Sequence, residues 1–200
     1  MLSHSAPPGL GPRPRAQTGT ETMSGDNEVM PDKQLELPAI DQLAATPEIL
    51  RQLMTNVSDF DAVNRPDPRR WSIAEVLEHL AHIEGGMFRL RLDLIVNQDI
   101  PTVEPYDQNQ FDAEGAYSGR DPEDSFAHFE EQREANIEFL LDLEPSAAQR
   151  TAKHPVAGTF SLEDMLNYWV AHDLSHIRQV AELVRTTTFL PNIGNLKKLS

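Results

Sequence analysis

Between Ser161 and Arg185 the apolar residues Leu162, Leu166, Trp169, Ile177, Val180 and Val184 recur at helical spacing. Such a stripe belongs to one long amphipathic helix, which must bury that face against other elements. Three more segments carry the same period. Thr46-Pro47-Glu48 reads as an N-cap followed by Pro at the first helical position. Ile49, Leu50, Leu53, Met54 and Val57 follow in phase, and this helix is expected to end between Val57 and Phe60. Ser72-Ile73-Ala74-Glu75 is a capping box that opens a second helix, running to about Val96. Its apolar face holds Val76, Leu77, Leu80, Ile83, Met87, Phe88, Leu94 and Ile95. Asp121-Pro122 opens a third, lined by Phe126, Phe129, Ile137, Leu140 and Leu141 and followed by Pro145. Ser161-Leu162-Glu163-Asp164 starts the fourth. No strand alternation is evident, and His154-Pro155-Val156-Ala157-Gly158 reads as a turn-rich crossing. The pattern predicts an all-α four-helix bundle over residues 37–190.

Residues 1–36 are rich in Pro, Gly, Ser and charge, with few apolar anchors. They cannot bury enough surface to offset their ordering entropy, so a disordered N-terminal segment is expected. Met23 and Met30 offer downstream translation starts, which would make part of this leader untranslated. Residues 191–200, with Pro191 and Gly194, are expected as a C-terminal tail. The connection 97–120 is long for a loop and carries Tyr106, Phe111 and Tyr117. It is expected to pack in part as a lid or a dimer contact, or to be plain surface.

A formal net charge of −15 argues against a nucleic-acid-binding or anionic-membrane surface, each of which needs a basic patch. No run of about eighteen apolar residues offers a membrane span. The N-terminus has no secretory apolar core, so the default expectation is a cytoplasmic protein. With no cysteine, a transition metal would have to be held by His, carboxylate and water.

His172 and His176, four residues apart on the fourth helix, project from one face on adjacent turns. Two such imidazoles hold a metal ion if another element adds a ligand. At about 100° per residue, His176 falls inside the buried stripe and His172 at its edge. On the second helix His79 lies at the stripe's edge, whereas His82 points toward solvent. His79 is therefore the histidine expected to meet the pair. The competing reading makes these residues core or surface histidines with no metal. Glu84 and Arg91, seven residues apart, both fall in the second helix's stripe, and Asp173 falls in the fourth's. Buried charges need partners. Arg91 with Asp173 or Glu84 would form a network holding the bundle in register. The other reading has Asp173 or Glu84 orient a ligand histidine or handle a proton. His128 is expected to be exposed, His154 is placed near the bundle mouth, and His4 falls in the leader.

Four pieces carry a family resemblance. They are Trp71-Ser72-x-x-Glu75-x-x-x-His79-Leu80, then Glu84 and Arg91, then His154-Pro155-x-x-Gly158, then His172-Asp173-Leu174-x-His176-x-x-Gln179. In order and spacing, over residues from about 40 to 186, the chain resembles the DinB/YfiT-like superfamily of metal-dependent enzymes. The resemblance implies an up-down-down-up bundle with a divalent metal, zinc or nickel, held by His79, His172 and His176. It also implies a homodimer. The expected function is a metal-dependent enzyme, a thiol S-transferase or a hydrolase, acting on a small-molecule thiol or electrophile. The alternative is a non-catalytic metal-binding or stress-response module. No P-loop or GxGxxG motif suggests a second cofactor.

Overall fold

The computed structural model describes residues 34–107 and 115–199. Among them the helices are α1 (Pro38–Met54), the short α2 (Asp59–Val63), α3 (Ile73–Ile83), α4 (Leu90–Asn97), α5 (Pro122–Leu141) and α6 (Leu162–Val184). A π-helical segment, Glu84–Arg89, joins α3 to α4, so these three form one continuous rod. Capping follows the sequence. The Ser72 hydroxyl accepts from the Glu75 amide while the Glu75 carboxylate accepts from the Ser72 amide. Ser161 and Asp164 do the same at α6, and Asp121 accepts from the amides of Glu123 and Asp124 at α5.

The side-chain pairs fix the direction of each helix. Ser125 meets Glu78, Gln132 meets Ala81 and Asn136 meets Arg89, so α5 runs parallel to the α3–α4 rod. Leu43 meets Arg133 and Arg51 meets Glu130, so α1 is antiparallel to α5. His79 meets His172 and Phe88 meets Trp169, so α6 is antiparallel to the rod. The order is up-down-down-up, as expected. Two consecutive parallel helices demand a return along the bundle. The rod spans roughly 37 Å, so even a fully extended chain needs on the order of ten residues to cover it. The long connection before Asp121 is the consequence.

Three expectations are corrected. The first helix begins at Pro38, not Thr46, so Pro47 is inside it. A proline there removes the bond its N–H would make to the carbonyl four residues back, that of Leu43. That carbonyl instead accepts from Arg133 Nη1 at 2.8 Å. The supposed crossing segment contains an antiparallel hairpin, β1 (Thr151–His154) with β2 (Gly158–Ser161), in the register Thr151↔Ser161 and His154↔Gly158. Each strand has only four residues, which leaves no alternation to read. Leu35, inside the expected leader, is buried, and its amide donates to the Leu143 carbonyl at 2.9 Å. Residues 1–33 and Phe111 lie outside the described residues. Among the described residues no helix is long and apolar enough to cross a membrane.

The core divides along the bundle. One apolar cluster holds Leu43, Phe88, Leu140 and Trp169; the other holds Leu50, Leu77, Phe129 and Val180. Between them lies a buried polar layer. Arg133, 2 % exposed, donates to both oxygens of Glu84 at 2.7 and 2.9 Å and to Asp173 Oδ2 at 2.7 Å. Asn136 Nδ2 donates to Glu84 at 3.0 Å. Glu84 and Asp173 were expected in such a network, but their partner is Arg133, not Arg91. Removing the cation leaves two buried carboxylates without a counter-charge. Arg133→Met is therefore expected to cost about 3–5 kcal/mol in urea unfolding, against about 1 kcal/mol or less for Arg51→Met, whose ion pair is solvated.

Candidate metal centre

The polar layer ends in three histidines. Asp173, locked to Arg133, fixes the rotation of α6, which brings His172 and His176 toward the rod. The capping box starts α3 so that His79 faces them across the helix interface. His79 Nε2 lies 3.3 Å from His172 Nε2, and His176 Nε2 lies 3.1 Å from the same atom. Candidate donor atoms of all three rings fall within 4.8 Å of one another. Ligands about 2.05 Å from a metal are separated by about 3.3 Å in tetrahedral geometry and about 2.9 Å at adjacent octahedral positions. The two separations from His172 Nε2, 3.3 and 3.1 Å, fall in that range, and the donor set, three imidazoles without a thiolate, fits a divalent ion.

The opposite ring nitrogens differ in their partners. His176 Nδ1–H donates to Gln179 Oε1 at 2.9 Å, which leaves the Nε2 lone pair for the cluster. His79 Nδ1 faces the Tyr117 hydroxyl at 3.3 Å. His172 Nδ1 lies 3.9 Å from Asp173 Oδ1, too long for a hydrogen bond. Both of those atoms are buried without a partner. They are the two atoms whose pairing would fix the His172 tautomer, so the orphans point the same way as the ring spacing.

Burial dominates the protonation of the site. It pulls His79 down from its ordinary value to about 2, helped by the neighbouring His176 and His172. It pulls His176 down to about 4, with His172 adding to the shift and Gln179 opposing it. Both rings are thus neutral at pH 7, the state a metal requires. Burial alone would raise the Asp173 carboxyl, but the Arg133 guanidinium outweighs it and holds the group ionised.

Aromatic rings shield the cluster. Trp71 lies 5.0 Å from His79 and nearly parallel to His176 at 6.5 Å. Phe88 meets His172 edge-on at 5.6 Å and stacks on Trp169 at 4.4 Å. On the open side His79 and His172 form part of the wall of a cavity of about 490 Å³.

The structure brings His79, His172 and His176 together as the helical projection expected. His154 lines the cavity, and His128 is exposed. His82 departs from expectation. It is half-buried, with Tyr117 edge-on at 5.7 Å and Tyr106 at 6.2 Å, because the long connection returns over that face of the helix. Three residues at the site had no role assigned from sequence. Gln179 was legible, lying three residues beyond His176 on one face. Arg133 was legible too, since it continues the stripe of Phe126 and Phe129. Tyr117 was not, because a loop has no period to place it.

The family model of the DinB superfamily matches residues 42–180. A putative metal-dependent hydrolase of Oceanobacillus iheyensis is 23 % identical over 146 residues, covering 73 % of this chain and 84 % of that protein. The putative metal-dependent hydrolase YfiT of Bacillus subtilis is 25 % identical over 147 residues, covering 73 % of this chain and 82 % of that one. A solved structure of YfiT, described as a probable metal-dependent hydrolase with an unusual four-helix bundle topology, is similar at a TM-score of 0.65 and 25 % identity. It covers 74 % of this chain and 84 % of its own.

The depressed histidine pKa values set a pH dependence for the metal-free protein. Below about pH 6.5 the unfolded chain binds protons that buried His79 and His176 refuse. Stability is therefore full above that pH and falls as pH drops toward 4. Each histidine held neutral contributes a slope of up to about 1.4 kcal/mol per pH unit. In thermal melts of chelator-treated protein between about pH 7 and 4.5, His79→Gln should flatten the decline and His128→Gln should not. Equal slopes in all three proteins would contradict the assignment.

Proposed function

The chain belongs to the DinB superfamily, and we propose that it is a metal-dependent hydrolase of a small-molecule substrate, with zinc or nickel held by His79, His172 and His176. One observation carries the reading: three imidazoles converge through Nε2, and two of them, His79 and His172, form part of the wall of a cavity. The hydrolase names of the two relatives support the reaction class over thiol transfer. A divalent ion bound by these residues supplies Lewis acidity and a nucleophile at neutral pH.

The chain's own residues prepare that site. Gln179 keeps the His176 proton on Nδ1, so its Nε2 lone pair faces inward, and the Tyr117 hydroxyl stands where it can accept from Nδ1 of His79. Trp71 and Phe88 close the apolar side and keep bulk water from the rings. Only the cavity side is left for substrate, and its volume suits a small molecule rather than a polymer.

Elemental analysis of untagged protein purified without chelator tests the reading. About one zinc or nickel ion per chain is expected, lost in His79→Ala, His172→Ala and His176→Ala and kept in His82→Ala. Gln179→Leu should weaken metal affinity about 10- to 100-fold. Hydrolysis of ester or amide substrates should track metal content. A folded, metal-loaded protein inert toward a broad panel would favour the non-catalytic metal-binding module.

A further inference from the structure

The cavity has two chemically different ends. The histidine pair His79 and His172 lies on one part of its wall, and Arg91 and His154 lie on another. Arg91 comes from α4, just beyond the π-helical segment, and its side chain is half-buried. One guanidinium N–H donates to the Glu104 carbonyl at 2.8 Å. Among the described residues no carboxylate lies within ion-pairing distance of it. Arg65, Arg89 and Arg133 by contrast each face a carboxylate. Arg150, also half-buried without a carboxylate, is committed by two bonds to the Ile95 and Gln98 carbonyls, whereas Arg91 has one such bond and lines the cavity.

His154 adds a donor to the same wall. Its Nδ1 accepts from the amides of Val156 at 3.2 Å and Ala157 at 3.1 Å, inside the hairpin turn. A nitrogen that accepts two N–H bonds carries its lone pair, so the ring proton is on Nε2. The imidazole therefore has a donor, not an acceptor, left for the cavity. The acidic residue on this wall, Asp164, turns its Oδ2 to the cap of α6, accepting from the amide and hydroxyl of Ser161 at 2.8 Å each. Burial lowers the Arg91 pKa, opposed by the nearby Tyr168, so the cation bears a desolvation cost that no protein carboxylate offsets.

We propose that the cavity selects substrates bearing an anionic group, a carboxylate or a phosphate, which Arg91 binds with help from His154 while the scissile bond lies at the histidine end. A planar guanidinium with free N–H groups matches either anion in two-point geometry, and a charge-assisted bond of that kind is stronger than a neutral one. The proposal rests on the metal-dependent hydrolase reading and adds to it the substrate's charge.

Three probes with a metal-chelating hydroxamate head and a short tail test this on full-length protein loaded with zinc. The tails are a neutral alkyl group, a carboxylate and a phosphonate, and binding is measured by calorimetry with metal content assayed in the same samples. Wild type should bind at least one anionic probe roughly tenfold to a hundredfold tighter than the neutral one. Arg91→Gln should lose that preference while keeping its metal and its affinity for the neutral probe. Arg91→Lys should keep part of it, which separates charge recognition from a folding defect. The carboxylate and phosphonate arms decide which anion the site takes. Equal binding of all three probes to metal-loaded wild type overturns the proposal and leaves the hydrolase reading intact, as does a preference that survives in Arg91→Gln. Wild type that takes up no metal overturns both.

Discussion

A single guanidinium ties the four bundle helices together. Arg133 projects from α5 into the centre of the bundle, where it binds Glu84 from the rod, Asp173 from α6 and the Leu43 carbonyl from α1. Its flanks lie over Phe129 and Trp169, at 4.9 and 5.2 Å from the ring centres. Apolar stripes would allow the helices to slide or rotate past one another with modest loss. A planar cation with fixed donor directions would not, because each slip leaves a buried carboxylate or carbonyl unpaired. The Leu43 carbonyl is available only because Pro47 has no N–H to give it. A proline that ordinarily disrupts a helix interior is thereby accommodated: the bond it removes is replaced by one to the neighbouring helix.

The three-histidine cluster inherits its geometry from that register. Asp173 sits between His172 and His176 in sequence, so holding its carboxylate on Arg133 sets the angle at which both imidazoles leave α6. Glu84 is five residues beyond His79 on the rod, and its attachment to the same guanidinium sets the opposite side of the cluster. Three ring nitrogens within 4.8 Å of one another is a demanding requirement for side chains from two helices, and a rigid ion network meets it better than methyl packing. The two halves of the core serve the same end. They bury the ion network between them and keep it from exchanging its partners for water.

Much of this was legible in the chain. Periodicity located the four bundle helices, caps located the start of three, and a helical projection selected His79 over His82 as the partner of His172 and His176. These signals are local, and a helix of fixed period transmits them faithfully. The failures have two causes. Thr46-Pro47 has the chemistry of a helix start, and only a donor on another helix, Arg133, makes it tolerable inside one. His82 and Tyr117 depend on how a loop without periodicity folds back, which no residue within reach of either determines. The hairpin at Thr151–Ser161 is the same case, because its four-residue strands are too short to show an alternating pattern.

The remaining discrepancy, the pairing expected of Arg91, follows from the π-helical segment. In a regular α-helix residues seven apart return to nearly the same face, which would set Arg91 on the face of Glu84, two turns or about 10 Å along the axis. Between them lies Glu84–Arg89, where the wider i→i+5 turn delays the return of the chain. Glu84, at its start, keeps the direction of α3 and reaches Arg133. Arg91, beyond its end, is turned to the cavity wall and away from the core. One local irregularity thus separates two charges that the sequence places in register. It assigns the carboxylate to the structural network and leaves the cation facing the space where a substrate would lie. Such segments persist at functional sites because the helical hydrogen bonds they weaken are exchanged for a side-chain direction that a regular helix cannot supply.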